Sequence, residues 1–147
     1  MSLKEQLLED LKNAMKDKNV IKKNTVQMTR AAVLQVEKDS RIILDDDGIL
    51  DIIAKEVKKR RDVLPDFEKS GRQDLIDGLK AEIDVLLQYL PQQLTEEELE
   101  VIVRQAVQET GATSAKDMGR IMQIVMPVVK GRADGKMING IVKKIIG

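Results

Sequence analysis

Apolar residues recur at three- and four-residue spacing along almost the whole chain, and that period predicts an all-α protein. Leu3, Leu7, Leu8, Leu11, Ala14 and Met15 form the first stripe, behind a capping-box pair at Ser2 and Glu5. The polar stretch 16–24 predicts the end of that helix. A second begins near Thr25, with Val26, Thr29, Ala32, Val33 and Val36 on one face. Ile49, Ile52, Ile53, Val57 and Leu64 mark a third helix, which Pro65 should end or kink because it lacks an N–H and crowds the preceding turn. After the stop signal Ser70-Gly71, Leu75, Ile76, Leu79, Ile83, Leu86, Leu87 and Leu90 predict a fourth helix from Gln73 to Leu90.

Pro91 marks a boundary, and the segment up to Leu94 reads as a short linker. Thr95 and Glu98 form a second capping box, with Leu94 and Leu99 at the staple positions. Leu99, Ile102, Val103, Ala106 and Val107 follow as a stripe that Gly111 closes. Ser114 is the expected N-cap of the next helix, with Asp117 three residues on. Its stripe is Met118, Ile121, Met122, Val125, Met126 and Val129, with Pro127 perturbing the last turn. Asp134 is the expected N-cap of the final helix, which carries Met137, Ile138, Ile141, Val142, Ile145 and Ile146. Three short amphipathic helices with short connections bury their stripes only against one another. The pattern therefore predicts an N-terminal helical domain of about four helices over residues 1–90 and a C-terminal three-helix bundle over residues 91–147.

Composition narrows the chemistry. Phe67 and Tyr89 are the only aromatic residues, so the core must be aliphatic. There is no His and no Cys, which excludes a Ser-His-Asp triad, a thiolate nucleophile and His or Cys metal ligands. The Asp45-Asp46-Asp47-Gly48 cluster fails as a calcium loop. With Gly48 at the loop glycine, Ile43 would hold the first ligand position and Ala54 the last. Helix capping accounts for these acids, and no metal or cofactor is expected. No apolar run approaches the ~20 residues of a membrane span, and the N-terminus lacks the apolar core of a signal peptide, so a cytoplasmic protein is expected.

A net charge of zero conceals an asymmetry. Between Thr110 and Gly147 the basic residues are Lys116, Arg120, Lys130, Arg132, Lys136, Lys143 and Lys144, against Asp117 and Asp134, a net charge of +5. The stretch Lys130-Gly131-Arg132-Ala133-Asp134-Gly135-Lys136 concentrates it. Because Asp134 would occupy the N–H groups of the helix start, the side chains of Lys130, Arg132 and Lys136 are expected to meet phosphates, with Asp134 shaping the turn. The basic run Lys55 to Arg61 reads instead as a solvated face paired with Glu56, Asp62 and Asp66. Gly119 and Gly140 fall inside predicted helices, where glycine costs about 1 kcal/mol relative to alanine. Either two helices approach closely there, the preferred reading, or something outside does.

The segments KKRRDVLPDFEKSGRQDL (58–75), YLPQQLTEEELE (89–100), ETGATSAKDMGRIM (109–122) and MPVVKGRADGKMINGIVKKII (126–146) resemble the GatB/YqeY family in order and spacing, specifically its stand-alone YqeY-like members. The resemblance implies an N-terminal helical domain and a tail like the one closing the B subunit of the tRNA-dependent amidotransferase, where it binds tRNA. Lys130 to Asp134 match the tail's glycine-basic loop, and Met118-Gly119 its preceding helix. The implied function is a non-catalytic tRNA-binding accessory protein, with Arg120, Lys130, Gly131, Arg132, Lys136 and Lys143 as candidate nucleic-acid contacts. The alternative is an interaction module docking on an amidotransferase or an aminoacyl-tRNA synthetase. The amidase and acyl-activating sites of the relatives are absent here, so a label of carbon–nitrogen ligase with glutamine as donor would describe them and not this chain.

Overall fold

The computed structural model describes residues 1–147 and contains seven α-helices and no strand. Two compact units emerge, Met1–Leu90 and Pro91–Gly147.

The first unit holds α1 (Leu3–Lys16), α2 (Val20–Ser40), α3 (Asp46–Ser70) and α4 (Gln73–Leu87). The Ser2–Glu5 capping box starts α1 as its sequence predicts. Asp45 caps α3 through Gly48 N–H, while Asp46 accepts from Leu3 N–H at 3.0 Å. Two acids of the Asp45–Asp47 cluster thus fasten helix starts. Leu7, Val26, Val33, Ile49, Ile53 and Leu86 form an aliphatic core, each contributing ~1.5–3 kcal/mol by leaving water. Polar contacts fix the helices around it. Glu37 Oε2 receives both Lys4 Nζ at 2.6 Å and Leu44 N–H at 2.9 Å, joining α1, α2 and the chain entering α3. Tyr89 donates its hydroxyl to Asp10, and burial together with that carboxylate pushes the phenol well above its ordinary pKa.

Four expectations need correction. The second helix begins at Val20 rather than near Thr25. Lys18 turns the chain in the left-handed region (φ +55°), Asn19 N–H returns to Ala14 carbonyl at 2.9 Å, and the Asn19 side chain caps Lys22. The polar stretch is therefore a three-residue turn followed by the start of a helix. Of the two outcomes expected at Pro65, an end or a kink, the end does not occur: α3 runs on to Ser70 and closes on Gly71 at φ +72°. Pro65 is exposed, so the carbonyl it leaves without a donor can be hydrated. The fourth helix stops at Leu87, where Tyr89 and Leu90 N–H groups tighten onto Leu86 and Leu87 carbonyls, since a residue before proline avoids helical angles. Within the basic run, Lys58 pairs with Asp62 and Lys59 with Glu56 as expected, but Arg60 is buried between Glu56 and Glu82 instead of lying on the solvated face.

The second unit holds α5 (Glu96–Thr110), α6 (Met118–Val129) and α7 (Gly135–Ile146). Thr95 and Glu98 form the predicted capping box, and Gly111 ends α5 at φ +66°. Leu99, Val103, Ala106, Ile121, Val125, Val129, Ile138, Ile141 and Val142 make the core, with Leu94 beneath the first turn. Ser114 makes no capping hydrogen bond. A short 3-10 turn over Ala115–Asp117 intervenes instead, and Asp117 accepts from Thr113 N–H at 3.1 Å, taking the bridging role. The close helix approach anticipated at Gly119 and Gly140 is not there either: a Cβ at either position would meet nothing within 4 Å.

Candidate nucleic-acid interface

Between α6 and α7 the chain makes a tight turn whose shape is set from outside it. Lys130 ends α6 in an extended conformation (ψ 123°), and Gly131 follows at φ +73°, a region costly for any residue with a Cβ. Arg132 N–H returns to Val129 carbonyl at 2.8 Å. Asp134 then caps α7 through Lys136 N–H at 3.2 Å, as its position predicts.

The segment before α5 braces this turn at three points. Arg132 carbonyl accepts from Leu94 N–H at 2.8 Å, Gly131 carbonyl accepts from the Gln93 side-chain amide at 2.8 Å, and Arg132 Nε donates to Gln92 carbonyl at 3.2 Å. Main-chain groups that would otherwise be left to water are paired, so the cationic side chains stand on a fixed base. Gln92, Gln93 and Leu94 thus hold the turn in place, although in the sequence they read as a short linker, with Leu94 also at a staple position. No local motif announces a pairing across about 40 positions.

The six candidates are not one cluster. Lys130 and Lys136 are exposed on either side of the braced turn. Arg132 is half-buried and tied back through Nε. Gly131 supplies the turn. Lys143 lies further along α7, seven residues after Lys136 and so on the same helical face. Arg120 is elsewhere. It donates to Thr110 carbonyl at 3.3 Å and pairs with Asp117 at 3.8 Å, at the C-terminal end of α5. The braced turn adjoins the other end of that helix, about 22 Å away for 15 residues.

Neither α6 nor α7 contains an acid. The acidic first turn of α5, Glu96, Glu97 and Glu98, follows the bracing segment; Glu98 closes the capping box, and Glu100 beyond it receives Arg104 at 2.7 Å. That hydrogen bond, followed by the nearby Lys144 charge, holds the Glu100 carboxyl below its ordinary pKa. Lys136, Lys143 and Lys144 are all exposed on α7.

The model of the Yqey-like protein family matches residues 4–146. The chain belongs to this family. It is a YqeY-like protein, related to the C-terminal region of the amidotransferase B subunit. Among its relatives, "Altered inheritance of mitochondria protein 41, mitochondrial" of Pyrenophora tritici-repentis is 31% identical over 97% of this chain and 80% of its own length. The proteins of the same name from Lachancea thermotolerans and Eremothecium gossypii are 30% and 36% identical over 65% and 57% of this chain. The YqeY-like chain spans about half the length of these two, 51% and 46%. These relatives overturn the cytoplasmic location inferred from the absence of a leader-like segment, since they are named as mitochondrial proteins.

Proposed function

We propose that this YqeY-like protein is a non-catalytic accessory factor that docks on folded RNA of the tRNA class through the turn between α6 and α7. The observation that carries the reading is the three-point brace from Gln92, Gln93 and Leu94 onto Gly131 and Arg132, which fixes the turn that carries Lys130, Arg132 and Lys136 between α6 and α7. A cationic corner on a preorganised turn suits a phosphate backbone better than an isolated small anion, because Asp134 already occupies the α7 N-terminus. With one Tyr and one Phe in the chain, single-stranded bases would find almost no stacking platform, so shape and backbone contacts dominate. The lack of His and Cys supports a binding role over chemistry. The relatives' names favour a mitochondrial setting for the RNA.

The test is binding of purified protein to total tRNA across a salt series, beside duplex RNA of equal length. Tighter binding to tRNA with steep salt dependence supports the reading, and equal or absent binding removes it.

A second reading is a module docking on an amidotransferase or an aminoacyl-tRNA synthetase. Ile124 and Val128, one turn apart on α6 and 36% and 55% exposed, favour it. A complex with either enzyme that survives ribonuclease, without tRNA retention by the protein alone, would establish it in place of the first.

A further inference from the structure

The docking reading leaves Gly140 without a purpose. It lies in the middle of α7, where glycine weakens a helix, and neither a tight turn nor a neighbouring element requires it. It is exposed, and a Cβ there would meet nothing within 4 Å, so internal packing does not explain the missing side chain.

What surrounds Gly140 on the helix surface is chemically specific. Lys136 precedes it by four residues and Lys143 follows it by three, so all three share one face. Asn139 borders the same face, and all four residues are exposed. The lysines are separated by about 10 Å of helix rise, with a bare strip of backbone between them. α7 itself contributes no acid to this face. Its opposite face, Ile138, Ile141 and Val142, is buried in the core and fixes which side points outward.

We infer that this face of α7 is a second contact surface for the same RNA, in which Gly140 lets the sugar-phosphate backbone lie against the helix between Lys136 and Lys143. Each lysine reaches a phosphate to one side of the bare strip. The Asn139 amide, which both donates and accepts, meets a ribose 2′-hydroxyl. Lys136 belongs to both surfaces and joins them into one track running from the braced turn along α7. The inference rests on the docking reading and extends it from a corner to a track.

Gly78 provides an internal control. It too lies inside a helix, α4, and a Cβ added there would meet nothing within 4 Å, but Asp74, Asp77 and Glu82 surround it. Gly140→Ala and Gly78→Ala should both raise the melting temperature, since each replaces a mid-helix glycine in open space. Only Gly140→Ala should weaken tRNA binding, by about fivefold, the order of one lengthened charge-assisted contact. A variant that is more stable yet binds less cannot owe its defect to unfolding. Asn139→Ala should narrow the preference for an RNA duplex over a DNA duplex of the same sequence.

If Gly140→Ala binds tRNA as tightly as wild type while Lys130→Ala binds less, the track is wrong and the corner stands. If wild-type protein retains no tRNA, both fall. A Gly140→Ala defect confined to a ribonuclease-resistant protein complex would likewise overturn the inference, in favour of a protein on this face.

Discussion

Arg132 Nε donates to the main-chain carbonyl of Gln92 at 3.2 Å, so a residue predicted to contact phosphate also ties the α6–α7 turn to the chain entering α5. A guanidinium suits both purposes because its N–H groups point in several directions from one plane. Arg132→Lys keeps the charge and loses the brace. It should lower the stability of the C-terminal unit by about 1 kcal/mol, the net worth of one hydrogen bond, and weaken RNA binding more than Lys130→Arg does. Thermal melting and filter binding measured on the two variants check this. Equal binding by both would show that the brace does not matter.

The helix caps give a sharper contrast. Thr95 accepts from Glu98 N–H at 3.2 Å in a closed capping box, whereas Ser114 has no capping hydrogen bond. Thr95→Ala should cost about 1 kcal/mol. Ser114→Ala should change stability by less than about 0.5 kcal/mol. Urea denaturation distinguishes them, and comparable losses from both would contradict the assignment of the 3-10 turn.

The contrast also shows what sequence reading can and cannot reach. Helix identity was legible because stripes such as Leu99, Val103 and Ala106 repeat at the helical period, and Ser2, Thr95, Asp134, Gly71 and Gly111 are local signals with one dominant use. Boundaries failed where a short-range rule has two outcomes. Pro65 can break a helix or ride its exposed side, and Lys18 adopts a left-handed conformation that lysine rarely takes. The Gly119 and Gly140 positions were visible, but whether they face a neighbour or open space depends on tertiary placement. For the same reason Arg120 reads in the sequence as part of the basic corner, while its hydrogen bond to Thr110 puts it at the other end of α5.

In the N-terminal unit, acid sensitivity should originate at Glu37. Its carboxyl lies below the ordinary value of 4.5, first through the hydrogen bond from Lys4 and then through Leu44 N–H. A depressed folded-state pKa stabilises the fold above the unfolded value, and that contribution is lost as pH falls through the folded one. Stability should therefore decline on acidification from about pH 5 downward. Glu37→Gln should flatten that decline and leave the protein less stable at about pH 7. Denaturation followed at roughly pH 3, 4, 5 and 7 measures the effect. An unchanged pH slope in Glu37→Gln would place the acid-sensitive group elsewhere.

Whether phosphates meet the braced turn is tested most directly by the salt dependence of tRNA binding. For wild type and the Lys130→Ala/Lys136→Ala pair, the logarithm of the binding constant is plotted against the logarithm of salt concentration. Each lost phosphate contact should reduce the slope by about 0.7–1, so the double variant should be shallower by roughly 1.4–2 with its helicity unchanged. Parallel lines for the two proteins would contradict the claim.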